Sequence, residues 1–355
     1  MSPFCLLSDP RGYVAHRWDL AADESARAHW LGHFLRHFDA TLAHAATQYG
    51  RKAARQIAVA REEFTARIQQ LEQSPTSLPA GRLDILELCR LRDATLRRHG
   101  LRDPFAHIKA RENASAARLY PRVVRALRAR ANPDKWLHLV KSVFAGNVFD
   151  LGSAATMHLA GEPTDFLKMV EDLRPRPWLV DDFDALEADL SAAPPSKWAK
   201  AVILVDNAGS DFILGVMPLA RELALGGTRI VLAANELPSL NDITADETAS
   251  IIGQLAAIDD DLATLVEGRM FEVVSTGNTS PLIDLADVSA ELNEAAADAD
   301  LLVLEGMGRA IESNLDAAFK VDALHLAMLK DEAVARRIGG EVYDCVCKYS
   351  PAVAN

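Results

Sequence analysis

Asp206, Asn207 and Asp242 stand where apolar runs of the chain stop. Asp206-Asn207 follows Ala201–Val205. Asp242 follows Ile230–Ala234 and the loop that starts at Asn235. Two carboxylates and an amide oxygen make a hard donor set, suited to Mg²⁺ or Mn²⁺ rather than zinc or copper. Taken singly, each residue also reads as a helix N-cap or loop residue. A second set comes later. Glu305-Gly306-Met307-Gly308-Arg309 follows the run Asp300–Leu304, and Lys330 follows Leu324–Leu329. Glycine carries no Cβ, so Gly306 and Gly308 let backbone N–H groups approach an anion. Arg309 adds a forked cation and Lys330 a point charge. Glu305 is a candidate base or water-positioning group, with strand-end capping as its plainer role. Charge neutralisation, a positioned nucleophile and a closed site are what phosphoryl transfer needs.

These residues need a scaffold that brings strand ends together. Ala201–Val205 is short, apolar and β-branched, as in a strand buried on both faces. After the turn at Gly209, a helical pattern runs through Phe212, Ile213, Val216, Met217, Leu219, Ala220 and Leu223. It stops at Gly226-Gly227. Ile230–Ala234 is the next strand, and a helix starts near Ala245. This β-α-β-α order predicts a Rossmann-like, doubly wound, mostly parallel α/β sheet. Such sheets bind ligands outside the carboxyl ends of their strands. Asp206, Asn207, Asn235 and Asp242 are therefore expected on one rim. Further strands are expected at Phe271–Ser275, Asp300–Leu304, Leu324–Leu329 and Glu341–Tyr349, with helices at Asp284–Ala297 and Asp331–Ile338.

The N-terminal half reads as mainly helical: Ala21–Ala46, Ala54–Leu71, Ile85–Arg98, Ile108–Leu127 and Trp136–Val148. We expect residues 1–195 to form a helical cap region and 196–355 the catalytic α/β domain, divided near Pro194-Pro195. His29, His33 and His37 fall on one helix face and read as a partly solvated face rather than a metal site. Arg92, Arg97, Arg98, Arg102, Lys109 and Arg111 form a basic neighbourhood, a solvated face unless it overhangs the rim. Arg174–Trp178 reads as a stiff connector.

The stretch LVDNAGSDFILGVMPLARELALGGTRIVLAANELPSLNDIT, with EGMGR at Glu305–Arg309, resembles the DUF89 damage-control phosphatases, which have an acidic-residue-methyltransferase-like fold. FAGNVFDLGS (Phe144–Ser153), RPRPWLVDD and GGEVYDCVCKY extend the similarity over most of the chain from about Leu86. EGMGR is similar to the marker of the second subfamily, which includes the phosphatase domain of pantothenate-kinase-4 proteins. The resemblance implies Asp206, Asn207 and Asp242 as ligands of one divalent metal, Mn²⁺, Mg²⁺, Co²⁺ or Ni²⁺. It places Glu305–Arg309 and Lys330 at the substrate phosphate, and Asn147 and Asp150 near the active site. It implies a phosphomonoesterase acting on 4′-phosphopantetheine and its oxidised forms, with sugar phosphates as further substrates. Any link to pantothenate kinase is expected in trans. Asp206 is followed by Asn207-Ala208, not by a second Asp two residues on. That favours attack by water over an aspartyl-phosphate.

Composition sets bounds. The chain has 355 residues, 49% hydrophobic and 25% charged, with a net charge of −12. The negative balance argues against a nucleic-acid or membrane role for the whole protein. No apolar run nears the roughly 18 residues a membrane span needs. MSPFCLLSDPRG lacks signal-peptide features, and four cysteines make no disulfide framework. A reduced, cytoplasmic protein is expected. Two other function classes fit the fold: an S-adenosylmethionine-dependent carboxyl methyltransferase, and a non-catalytic phosphometabolite-binding module. DNAGSD fits a methyl-donor turn poorly, and no G-x-G-x-x-G follows a strand.

Overall fold

The computed structural model describes residues 1–16, 18–78, 82–148, 165–191 and 196–352. A seven-stranded sheet lies at its centre, in the order β1-β7-β6-β5-β2-β3-β4. The strands are β1 (Val180–Asp181), β2 (Lys200–Leu204), β3 (Arg229–Ala234), β4 (Phe271–Ser275), β5 (Leu301–Glu305), β6 (Asp322–Met328) and β7 (Cys345–Ser350). Strands β2 to β6 pair in parallel; β7 runs antiparallel to β6 and parallel to β1. The mostly parallel α/β sheet expected from the sequence is present.

The apolar runs sit in the middle of the sheet because both of their faces are covered. Val202, Leu204, Val231, Ala233, Leu302 and Leu304 pack into one core. That core is shared with the N-terminal helices α1 (Glu24–Tyr49), α2 (Ala54–Gln73) and α3 (Ile85–Arg98). Ala201, Ile203, Val205, Ile230, Leu232 and Val303 face the other way. They meet α4 (Ala106–Arg128), α5 (Asp134–Val148), α8 (Met217–Leu225) and α9 (Ala245–Ala256). This period of two, apolar on both faces, is what a buried parallel strand requires. Helices α6 (Asp165–Asp172), α7 (Phe183–Leu190), α10 (Asp260–Glu267), α11 (Ala290–Ala296) and α12 (Glu332–Arg337) complete the described elements.

Arg174–Trp178 is the connector expected, between α6 and β1. β1 itself was not expected: its two residues pair with Val346 and Cys347, and a strand that short leaves no periodicity to read. Two local expectations change. The helix expected from Asp284 starts only at Ala290, where the Ser289 side chain accepts from Leu292 N–H. The last strand starts at Cys345, not Glu341. Cys345 and Cys347 share one buried face of it. The expected boundary at Pro194-Pro195 lies outside the described residues.

Candidate active site

The chain leaves β2 for β3 and β4 on one side, then crosses back to β5 and β6 on the other. The carboxyl ends of β2 and β5 therefore flank the point where the strand order reverses. Ligands of open α/β sheets bind at such a point. Asp206 lies just past β2, and Glu305 is the last residue of β5. The two are locked together: Asp206 N–H donates to Glu305 Oε2 at 3.0 Å.

Asp211 joins them. It opens a π-helical turn, Asp211–Val216, between the β2 loop and α8. Wide turns of this kind recur at functional sites. Asp211 Oδ2 accepts from Asn207 N (3.2 Å), Asn207 Nδ2 (2.8 Å) and Asn147 Nδ2 (3.1 Å). Asn147, near the end of α5, also donates to Glu305 Oε1 at 3.3 Å. Gly146 permits this approach: a Cβ there would lie 2.9 Å from the Asp211 Cα. Carboxylate oxygens of Asp206, Asp211 and Glu305 lie within 4.8 Å of one another, and all three residues are buried.

Asp211 Oδ1 and Asn147 Oδ1 are buried acceptors with no donor. Burial pushes the Asp211 carboxyl up, against the opposing pull of the Lys330 charge and then of its hydrogen bonds. Unpaired oxygens beside gathered carboxylates are costly unless a cation satisfies them. The donors are all oxygen, so the set fits a hard divalent cation.

Asp242 takes a different partner. Its Oδ2 accepts from Asn235 Nδ2 and from Arg309 Nη2, each at 2.9 Å. Arg309 Nη1 bonds Asp206 Oδ1 and the Pro281 carbonyl, so the guanidinium bridges Asp206 and Asp242. Arg309 is 1% exposed. Full burial works against its charge, and the two carboxylates offset that. The Asp242 loop is held at both ends. Ile243 N–H bonds Asp206 O at 3.0 Å, and Thr244 with Glu247 forms a capping box at the start of α9. Asn207 and Asp242 pair as an isolated antiparallel bridge, and Asn235 and Thr244 as an isolated parallel one. The rim expected from Asp206, Asn207, Asn235 and Asp242 is therefore one hydrogen-bonded patch.

A cavity of about 430 Å³ opens over this patch. Of the residues singled out in the sequence, Asp206, Asn207, Asp242, Met307, Gly308 and Lys330 line it; Asn147, Asn235, Glu305, Gly306 and Arg309 do not. Asp150 lies outside the described residues. Arg92, from the basic neighbourhood, reaches the lining while bonded to Asp93 (2.7 Å) and Ser239 (3.0 Å). Lys109 of that neighbourhood is spent on Asp103 and Glu247. Glu312, in the π-helical turn Met307–Ser313, also lines the cavity. Burial first, and Asp331 next, push its carboxyl up to about 8, against the Lys330 charge.

Asp211 was within reach of sequence reasoning. It ends DNAGSD, five positions after Asp206, but directly before an apolar helical run it looks like an ordinary first-turn acid. Trp30, His33, Phe34 and His37 of α1 also line the cavity. Helical spacing put His33 and His37 on one face, but nothing local showed that the face covers a rim built some 170 residues later.

Comparison with known proteins bears on the family and the fold. The chain is 44% identical over 291 residues to a damage-control phosphatase of Arabidopsis thaliana, covering 81% of this chain and 78% of that protein. It is 31% identical over 397 residues to the 4′-phosphopantetheine phosphatase of Mus musculus, covering 97% of this chain but 48% of that protein. The crystal structure of a DUF89 family protein from Pyrococcus horikoshii superposes with a TM-score of 0.63 at 18% identity, covering 89% of this chain and 96% of that one. The model of the damage-control phosphatase ARMT1-like domain matches residues 31–346. The chain belongs to the damage-control phosphatase ARMT1-like domain family.

Proposed function

We propose that this chain is a metal-dependent phosphomonoesterase. Its first substrates are 4′-phosphopantetheine and its oxidised forms, with sugar phosphates secondary. The role is damage control in coenzyme A synthesis, linked to pantothenate kinase in trans. The observation that carries the reading is the buried meeting of Asp206, Asp211 and Glu305 at the strand-order reversal, under a cavity that Lys330 also lines. The names of the plant and mouse relatives support it; they do not favour the methyltransferase alternative.

Asp206, Asp211 and Glu305 would hold the cation, with Asn147 Oδ1 as a neutral donor and Asn207 and Asp242 beside them. Mn²⁺, Mg²⁺, Co²⁺ and Ni²⁺ all suit oxygen donors. When bound, such a cation polarises a phosphoryl oxygen and acidifies a water. The chain's own groups do the rest. Lys330 brings positive charge to the substrate phosphate, and the Met307–Gly308 backbone closes around it. Arg309 holds Asp206 and Asp242 apart and in place. Glu305, anchored by Asp206 N–H and Asn147, orients the attacking water. The helices of residues 1–195 serve as the cap and lend Asn147 to the site, and residues 196–355 carry the rest of the chemistry. We place the protein in the cytoplasm: its four cysteines are free thiols. Among the described residues, no helix is long and apolar enough to cross a membrane.

The test is kcat/KM for 4′-phosphopantetheine, its S-oxidised forms and a panel of sugar phosphates. The pantetheine esters are expected to lead by at least about tenfold. Equal turnover across the panel would sink the substrate assignment. Binding of phosphate esters without turnover would favour the non-catalytic module.

A further inference from the structure

Asp206, Asp242, Glu312, Asp331 and Glu332 are the acids in the wall of the active-site cavity. Four of them are engaged. Arg309 bridges Asp206 and Asp242. Asp331 caps α12, where its Oδ1 accepts from Ala333 N–H at 2.8 Å and Val334 N–H at 3.0 Å. Glu332 pairs with Arg336 at 2.7 Å. The Glu312 carboxyl has no hydrogen bond or ion pair among the described residues. An unpartnered carboxyl inside a protein is costly, and in a cleft it points to a role in the chemistry.

Glu312 belongs to the π-helical turn Met307–Ser313, which starts from Gly306 beside Asp206. Its backbone carbonyl is held by His16 Nδ1 at 2.8 Å. The residue also lines a second cavity, of about 550 Å³, with Tyr13, His16, Trp18 and Arg337. Its neighbours show which cavity the carboxyl faces. The charges that act on it are those of Asp331 and Lys330, and its own charge acts on Cys89. All three residues line the active-site cavity, and none lines the second. The carboxyl therefore faces the active-site cavity. Raised to about 8, it mostly carries its proton near neutral pH.

An ester of an alkyl alcohol needs such a group. When its P–O bond breaks, the electron pair stays on the departing oxygen. An alkoxide is a strong base, and a proton supplied as it departs lowers the barrier. Asp206, Asp211 and Glu305 serve the cation and the water, and Lys330 serves the phosphate. None of them supplies that proton.

We propose that Glu312 is a catalytic residue, the general acid that gives its proton to the ester oxygen as that oxygen leaves phosphorus. The electron pair of the breaking P–O bond takes up the proton, and the alcohol departs. Water forms the new P–O bond and releases one proton, which restores Glu312. Ester plus water thus becomes alcohol plus hydrogen phosphate. The proposal rests on the phosphomonoesterase reading above and adds the acid to it.

The test compares an alkyl ester, 4′-phosphopantetheine or a sugar phosphate, with 4-nitrophenyl phosphate, whose nitrophenolate leaves without a proton. Wild type, Glu312→Gln and Glu312→Asp are assayed as full-length protein loaded with Mn²⁺. Glu312→Gln should lower kcat on the alkyl ester about 100-fold, and on the nitrophenyl ester less than about threefold. Glu312→Asp keeps an acid on a shorter arm and should fall between wild type and Glu312→Gln on the alkyl ester. Melting curves identify a misfolded variant, and Glu312→Asp carries the comparison if Glu312→Gln is one. Equal losses on the two esters in a folded variant, or an unchanged alkyl-ester rate, would overturn the proposal and leave the phosphatase reading standing. No turnover of either ester by the wild type would overturn both.

Discussion

Gly306 faces the Asp206 carboxylate so closely that a Cβ built on it would lie 2.1 Å from Asp206 Oδ2. Its φ of 90° is also one that side chains rarely adopt. The glycine of EGMGR is thus a spacing device for the carboxylate of DNAG. Gly306→Ala should cost about 1–3 kcal/mol from the backbone alone. It should also displace Asp206 and lower kcat/KM by at least about 100-fold. Thermal unfolding and phosphate release check both. Wild-type activity in Gly306→Ala would show that Asp206 need not stay where it is.

Arg309 holds two buried carboxylates at once. Arg309→Met should leave both unpaired and destabilise the protein by about 3–5 kcal/mol in urea titration. Arg309→Lys should recover part of this, because a point charge cannot fork between Asp206 and Asp242. Saturating Mn²⁺ should raise the melting temperature of Arg309→Met more than that of the wild type, since bound cation replaces lost charge. A Met variant as stable as the wild type would contradict the bridge.

Asp211 separates metal holding from folding. Its carboxyl is pushed up by burial, so a neutral isostere removes an unfavourable charge. Asp211→Asn should therefore unfold no more easily than the wild type. Its Mn²⁺ affinity, followed by calorimetry, should drop at least about 10- to 100-fold. Unchanged affinity would move the cation away from Asp211 and toward Asn207 and Asp242.

Glu312 gives a pH prediction. Its folded-state pKa is raised from 4.5 to about 8, with Asp331 and Lys330 as the charged neighbours. A carboxyl raised on folding contributes stability that is complete below its unfolded pKa. That contribution is lost as pH rises through the folded pKa. Wild-type stability should thus decline between about pH 5 and 8 relative to Glu312→Gln. Melting curves across that window decide it; parallel pH profiles would count against the shift.

Much of this was legible in the sequence. The runs Ala201–Val205 and Ile230–Ala234 are so apolar that only a doubly buried strand suits them, and the polar residues ending each run then had to share a rim. What sequence could not give was pairing across the rim. Asp206, Asp242 and Arg309 were each visible, but the guanidinium between the two acids depends on β5 lying beside β2, a neighbour set by the crossover. Asp211 was hidden by its place before a helix. His33 and His37 read as a partly solvated helix face, because the rim that they border is built far along the chain.

The most direct test of the account is phosphate release from 4′-phosphopantetheine after EDTA treatment, with Mn²⁺, Mg²⁺, Co²⁺ or Ni²⁺ then restored, for wild type and Asp206→Ala. The account predicts no release in EDTA, recovery with at least one of these ions, and none from Asp206→Ala under any ion. Release that persists in EDTA, or in Asp206→Ala, would contradict a metal held by the acidic cluster.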